Sequence, residues 1–146
     1  HQGWSFELAV EILQHLHRMR AHHGHGLRAS VLARRMRVDL LQLEPPLAAL
    51  LALDWIARIE ETSDARLAEP RLVLLADEST PLAPLVQLLL LERRPHVEAL
   101  WTGARFDQLV LADLLDATSG GAEAPDAGAS QAQAPGSGSD LNKNSL

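Results

Sequence analysis

Apolar residues recur at three- and four-residue spacing in the first third of the chain, with polar residues between them. This spacing places the apolar side chains on one face of a helix, so it predicts amphipathic helices that pack against one another. The predicted helices cover residues 5–19, 28–36 and 39–53. The inward-facing residues predicted for the third helix are Leu40, Leu43, Leu47, Leu50 and Leu51.

Helix boundaries follow from residues that cap or break helices. Ser5 and Asp39 have side chains suited to the N-cap of the first and third helices. Pro45 and Pro46 each remove a backbone donor inside the third helix. Two alternatives follow: residues 40–44 form a separate turn, or the third helix continues with a kink.

After the third helix the apolar period changes from 3.6 to 2, which is typical of β-strands. Residues 55–60 and 71–75 predict a two-stranded hairpin with a polar tip. A hairpin alone is marginal in water, so it must lie against the helices. The order helix, helix, helix, hairpin predicts a mostly helical α+β fold of the winged-helix type, with the hairpin as the wing.

Two additional C-terminal helices are predicted at residues 82–93 and 105–116. The first of them would be capped by Ser79 or Thr80, with Pro81 at its first position. Its apolar stretch is too short to cross a bilayer, which takes about 20 residues. The domain is therefore predicted to cover residues 1–117. Residues 118–146, rich in Gly, Ala, Ser and Pro, are predicted to be a disordered tail.

Composition supports the helical assignment and narrows the chemistry. Leu and Ala are abundant, and the chain has no cysteine, which excludes disulfides and thiolate chemistry. The net charge is −6, but residues 1–37 carry net +4 and residues 38–146 carry net −10. The chain opens without Met, from which we expect a piece of a longer protein.

DNA readout by a winged helix needs cationic or amide side chains on the third helix. Gln42 is the one such residue between positions 39 and 54, and the hairpin tip offers Arg66 among four acidic residues. Sequence-specific DNA binding is therefore not expected. The second helix carries the basic residues, and a solvated face or contact with an acidic partner, such as anionic lipid headgroups, is favoured for them over contact with DNA phosphates. These candidate anion-contact residues are Arg28, Arg34, Arg35 and Arg37.

Histidines cluster at the end of the first helix, where a solvated helix terminus is the expected role. Adventitious metal binding is the alternative, with His22, His23 and His25 as the ligands. No catalytic residues and no cofactor are predicted, because the chain has no nucleophile elbow and no glycine-rich phosphate loop in its folded part. Trp101 is expected to pack in the core, and the alternative is a partner anchor.

Several short stretches resemble the C-terminal cytoplasmic domain of the YihY/BrkB family of bacterial inner-membrane proteins, which are also called ribonuclease BN-like. The resemblance covers about residues 5–116. The stretches are LARRMRVD at 32–39, LQLEP at 41–45, ALLALDW at 49–55, VLLAD at 73–77, TPLAPL at 80–85 and LAD at 111–113.

The resemblance implies a parent chain with about six transmembrane helices before this domain, at the cytoplasmic face of the inner membrane. The family's function is poorly defined, and both a transport role and a tRNA-processing ribonuclease label are attached to it. This sequence lacks the carboxylate or histidine array that such a nuclease needs. We therefore expect a non-catalytic interaction or regulatory domain. Its expected partners are the transmembrane domain of the same parent chain and a second copy bound through the C-terminal helices.

Overall fold

The computed structural model describes residues 2–21, 26–60 and 69–115 of the chain. Its helices and strands follow in chain order. They are α1 (Gln2–Ala21), β1 (Leu27–Arg28), α2 (Ala29–Met36), α3 (Leu40–Ala52), β2 (Ile56–Ile59), β3 (Arg71–Leu74), α4 (Ala83–Leu89), α5 (Glu98–Ala104) and α6 (Leu111–Leu115), with 3₁₀ turns at Pro95–Val97 and Phe106–Gln108.

The three predicted N-terminal helices are present. The N-cap prediction at Ser5 is wrong, because α1 begins at Gln2 and Ser5 lies inside it. Gly3 lowers helix propensity by about 1 kcal/mol relative to Ala. Core packing stabilises the rest of α1, in which Ile12, Leu13 and Leu16 are fully buried. The additional N-terminal turn, residues 2–4, continues from this stabilised part of the helix.

The start of α3 follows the prediction closely. Asp39 accepts a hydrogen bond from the Leu41 amide (2.8 Å) and its own amide donates to the Gln42 side chain (2.8 Å), forming a capping box. Pro45 and Pro46 both lie inside this helix, so the separate-turn alternative is wrong. The prolines leave the carbonyls of Leu41 and Gln42 without their helical donors, and neither of these two residues is buried.

The sheet has three antiparallel strands in the order β1-β3-β2, so it contains one strand more than the predicted hairpin. β2 and β3 form the predicted hairpin, with Ile56 opposite Leu74. β1 adds Leu27 opposite Leu72. Two residues are too few to show a period-two pattern, which explains why the sequence did not predict β1. The wing tip at 61–68 lies outside the described residues.

The C-terminal part differs most from the prediction. α4 ends at Leu89, and the single helix predicted over 105–116 is wrong: α5 precedes it, and a 3₁₀ turn and α6 replace it. Arg105 has a left-handed φ of 57°, which ends α5. The predicted cap at Ser79 or Thr80 is also wrong, because both hydroxyls donate to Asp77 (2.8 and 3.2 Å) and Leu82 occupies the N-cap position.

One hydrophobic core joins the helices to the sheet, with α1 packed against α3, α4, α6 and β3. Trp101 is fully buried, which confirms its predicted packing role. Three helices and a three-stranded antiparallel sheet, followed by additional helices, make this a winged-helix-like α+β fold. No helix within the described ranges is long and apolar enough to span a membrane. The predicted boundary at 117 and the predicted disordered tail lie outside those ranges.

Candidate interaction surface

The corner between α2 and α3 gathers three of the four candidate arginines. Arg34 and Arg35 are exposed in the last turn of α2, and Arg37 follows as its C-cap. Cations are favourable at this position because the helix dipole is negative at the C-terminus. Arg37 adopts a left-handed φ of 58°, and the following amide of Val38 donates to the Ala33 carbonyl at 3.0 Å. The corner is thus closed by backbone hydrogen bonds.

Arg28 lies at the opposite end of α2, so the structure separates it from the other three. It is the second residue of β1 and sits opposite Arg71 of β3. Its Nε atom is buried without a hydrogen-bond partner among the described residues. Arg28 is therefore part of the sheet rather than of the exposed basic corner.

The exposed face of α3 is mostly apolar, and Glu44 is its one charged residue. Leu41 is 69% exposed and Leu40 is 45% exposed, so the predicted inward orientation of Leu40 is wrong. Leu40 opens α3, so its exposure reflects its place in the first turn of the helix. Leu43, Leu47 and Leu50 are buried as predicted. The remaining exposed positions of α3 are Glu44, Pro45, Ala48 and Ala52.

Gln42, the one base-reading type of side chain on this helix, is occupied by the capping box, where its Oε1 accepts from the Asp39 amide. On the wing side, Glu69 is also engaged. It accepts from the Ser30 amide (2.9 Å) and hydroxyl (2.6 Å), and so caps the start of α2 from a distant part of the chain. Arg66 lies outside the described residues. The α3 surface therefore carries no cationic side chain to read bases, and its one amide is engaged by Asp39.

The three arginines at the corner between α2 and α3 form few contacts with other described residues. Arg34 and Arg37 form no ion pair in the part of the chain that the structure describes. Arg35 makes one weak contact, from Nη1 to the sulfur of Met19 at 3.9 Å. An arginine with few intramolecular bonds keeps its planar donors for a carboxylate or a phosphate.

The candidate metal ligands His22, His23 and His25 lie outside the described residues, so their role stays a prediction. Within residues 2–21, 26–60 and 69–115, no group of three or more His, Cys, Asp or Glu side chains could hold a metal ion. His17 approaches Glu78, with 3.9 Å between Nε2 and Oε1.

His15 gives the fold a predicted pH dependence. Partial burial, and then the guanidiniums of Arg18 and Arg35, hold the pKa of His15 below its ordinary value of about 6.5, against a smaller opposing effect of Glu11. The unfolded chain therefore takes up a proton more readily as the pH falls. The His15 contribution to stability is complete above about pH 6.5 and is lost as the pH falls from there toward the folded-state pKa.

We expect His15→Gln to flatten the decline in the free energy of unfolding as the pH falls below about 6.5, measured by urea titration. Arg18→Gln should act in the same direction but less strongly, because it removes one of the two cations that lower the pKa of His15. An unchanged pH profile in His15→Gln would contradict this account.

A second exposed surface lies along α4. Leu88 and Leu90 are 51% and 37% exposed and line a groove of about 860 Å³ that also includes Ser5 and Leu53. The second helix predicted for dimer contacts, residues 105–116, is replaced by a 3₁₀ turn and the short helix α6. In α6, Leu111 and Leu115 are buried in the domain's own core. Of the two regions predicted for dimer contacts, the one at α4 therefore keeps exposed leucines, whereas α6 buries its own.

Three relatives with similar sequences are UPF0761 membrane proteins. That of Verminephrobacter eiseniae is 52% identical over 116 residues, 77% of this chain and 28% of that protein. Those of Delftia acidovorans and Methylibium petroleiphilum are 45% and 40% identical over 119 and 114 residues. The chain spans 26–28% of the length of these relatives. No protein-family model matches the chain.

Solved structures with a similar fold are transcriptional regulators or proposed ones. A proposed regulator from Lactobacillus plantarum superposes with a TM-score of 0.57 at 14% identity, over 80% of this chain and 91% of that one. One from Listeria innocua gives 0.55 at 18% identity, over 89% and 94%. Such low identity shows the fold alone. The homologues of this chain are thus membrane proteins, and it corresponds to a part of them with a winged-helix-like fold.

Proposed function

We propose that this chain is a non-catalytic interaction or regulatory domain of a polytopic inner-membrane protein of the YihY/BrkB type, facing the cytoplasm. Two findings support the proposal. Relatives 40–52% identical to the chain are membrane proteins, and the chain accounts for just over a quarter of their length. The remaining three quarters of such a parent protein then hold the membrane-spanning part, which is the domain's first partner.

The observation that carries the interaction role is the exposed face of α3. In a DNA-binding winged helix, the corresponding helix lies in the major groove and presents cationic or amide side chains to the bases. Here that face presents Leu40, Leu41 and Pro45, and its one amide, Gln42, is engaged by Asp39. A major groove would bury the leucines against polar base edges, so the surface favours another kind of partner.

A titration of generic duplex DNA tests the proposal against its runner-up, a nucleic-acid-binding winged helix. We expect no micromolar binding by the 146-residue chain at moderate salt in fluorescence anisotropy. Non-specific binders lose affinity steeply as salt rises, because phosphate contacts release counterions. Micromolar binding that falls steeply with salt and disappears in Arg34→Ala/Arg35→Ala/Arg37→Ala would contradict the proposal and support the runner-up.

The cytoplasmic orientation has a separate test, cysteine labelling in a full-length relative. A single cysteine at the position of the exposed Arg94, placed in the full-length Verminephrobacter eiseniae relative after removal of any native cysteines, reports the side of the membrane. We expect a membrane-impermeant maleimide to label it in cells only after the inner membrane is permeabilised. Labelling of intact spheroplasts would overturn the orientation.

Two further roles stay proposals. A homodimer through α4 would cover Leu88 and Leu90. A solution mass of twice the chain mass, reduced to that of the monomer by Leu88→Asp, would establish it.

The ribonuclease label attached to the resembled family predicts cleavage of tRNA precursors. The purified domain with a divalent metal is not expected to cleave them, and any such activity would then belong to the rest of the parent protein.

A further inference from the structure

The corner between α2 and α3 combines exposed cations with exposed leucines. We propose that this corner, defined as Arg34, Arg35, Arg37, Leu40 and Leu41, is a membrane-contact surface that binds a bilayer containing anionic phospholipids. The proposal rests on the proposed function, because a domain of a membrane protein is held close to a bilayer. It adds a specific partner and the residues that bind it.

Charge is the first observation. Three arginines lie within four consecutive positions of a chain whose net charge is −6. Arg34 and Arg37 have no ion pair among the described residues, so their charge is directed to solvent. Basic residues near an anionic bilayer each strengthen binding by roughly fivefold. The three arginines are therefore complementary to lipid phosphates, and they outnumber the two acidic residues beside them, Asp39 and Glu44.

The leucines are the second observation. Leu40 and Leu41 follow Arg37 by three and four residues and open the first turn of α3, with 45% and 69% of their surface exposed. Apolar side chains beside cations suit the boundary between headgroups and acyl chains, where the charges meet phosphates and the leucines leave water. Exposed leucines alone are common on protein surfaces, but here they adjoin Arg37, which has no ion pair among the described residues.

The corner is also held in place before any contact. The Asp39 carboxylate, the nearest acidic group in sequence, is engaged by the Leu41 amide at 2.8 Å. Arg37 occupies a left-handed conformation that glycine adopts more easily, so the backbone fixes its direction at some conformational cost. Binding therefore requires little ordering of the backbone, which favours affinity.

A bilayer explains this pairing better than a nucleic acid does. A phosphate backbone would use the arginines but would leave the leucines without an apolar partner. A bilayer uses both. The homologues at 40–52% identity are membrane proteins, which places an anionic lipid surface within reach of this chain.

Vesicle co-sedimentation of the 146-residue chain tests the proposal. We expect binding to vesicles of equimolar phosphatidylcholine and phosphatidylglycerol, and none to vesicles of phosphatidylcholine alone. Arg34→Gln/Arg37→Gln should weaken the partition coefficient by roughly 30-fold. Leu41→Gln should weaken it by about 5-fold, because the leucine no longer leaves water.

A charge-matched control separates the corner from general attraction. Arg94→Gln/Arg105→Gln removes two exposed arginines elsewhere and should leave binding close to that of the parent chain. Circular dichroism spectra check that every variant is folded. An equal loss in both double variants, or no binding to the anionic vesicles, would overturn the proposal. Duplex DNA that binds more tightly than the vesicles, with the same loss in Arg34→Gln/Arg37→Gln, would assign the corner to nucleic acid.

The proposed function fails independently of this inference. Absent vesicle binding, together with a cytoplasmic cysteine label and no DNA binding, overturns the membrane contact and leaves the interaction role intact. A periplasmic cysteine label overturns the proposed orientation, whatever the vesicles show.

Discussion

Trp101→Ala is expected to lower the free energy of unfolding by roughly 3–5 kcal/mol, which is the cost of removing a large aromatic side chain from a core. The indole is fully buried, and the ring of Phe106 meets it edge-on with centroids 5.1 Å apart. The Arg93 guanidinium lies 5.3 Å from the ring centroid. A domain of this size has a total stability of about 5–15 kcal/mol, so the variant loses a large share of it. Urea denaturation followed by far-ultraviolet circular dichroism measures the loss.

Leu100→Ala is the matched control, one residue away on the same helix. Leu100 is 56% exposed, and its truncation should change stability by no more than about 0.5 kcal/mol. Trp101→Phe should fall between the two, since it keeps a ring in the core and removes an indole N–H that has no acceptor among the described residues. Equal losses for Leu100→Ala and Trp101→Ala would refute the role of the indole as the anchor of α5.

The parts of the fold that local patterns determine could be predicted from the sequence. The capping box at Asp39 and the apolar spacing that buries Leu43, Leu47 and Leu50 are both read within a few residues, and both are present. The sequence predicts the first helix but places its start at Ser5, a favoured N-cap residue. The helix begins at Gln2 instead, because no residue before Ser5 breaks a helix strongly enough to end it.

The C-terminal part could not be predicted because distant contacts determine it. The Leu111 amide donates to the Thr80 carbonyl at 2.8 Å, and the Leu82 amide donates to the Leu109 carbonyl at 2.9 Å. These bonds keep residues 109 and 110 extended where the apolar spacing alone predicted a helix. Tertiary hydrogen bonds overrode local propensity in this part of the chain.

Arg93 adds a second long-range restraint on the same segment. Its guanidinium donates to both oxygens of Glu98 and to Asp107 at 3.0 Å. The hydrogen bonds to Glu98 raise the pKa of Arg93, and the same bonds lower the pKa of Glu98. These partners are five and fourteen residues away, a separation that no helical or strand period encodes.

The sequence predicts part of the candidate interaction surface correctly. The sequence identified the arginines but placed Arg28 with the others, because spacing alone does not show that it pairs with Arg71 in a sheet. It also assigned Leu40 to the core. Leu40 has the same helical spacing as the buried Leu43 and Leu47, so the apolar pattern alone could not show that the first turn of α3 is exposed.

Gly26→Ala is expected to lower stability more than alanine at either of the other two described glycines, Gly3 and Gly103. Gly26 has a φ of +67°, and a Cβ there would lie 2.4 Å from the Leu72 carbonyl oxygen and 2.7 Å from a methyl of Val73. Left-handed geometry costs alanine about 1–2 kcal/mol, and forced overpacking adds about 1–3 kcal/mol. The backbone of β3 cannot move aside without breaking the pairing of Leu27 with Leu72. We expect a loss of roughly 2–5 kcal/mol in urea denaturation.

Gly103→Ala is the informative control, since the same chemical change meets opposite conditions. Gly103 lies in α5, and an added Cβ has nothing within 4 Å. Alanine in a helix is favoured over glycine by about 0.5–1 kcal/mol, so this variant should be more stable than the parent chain. Opposite signs in the two variants would show that β1 is held by close backbone approach at Gly26. A neutral Gly26→Ala would mean that β1 is free to leave the sheet, and the three-stranded arrangement would then not be required for stability.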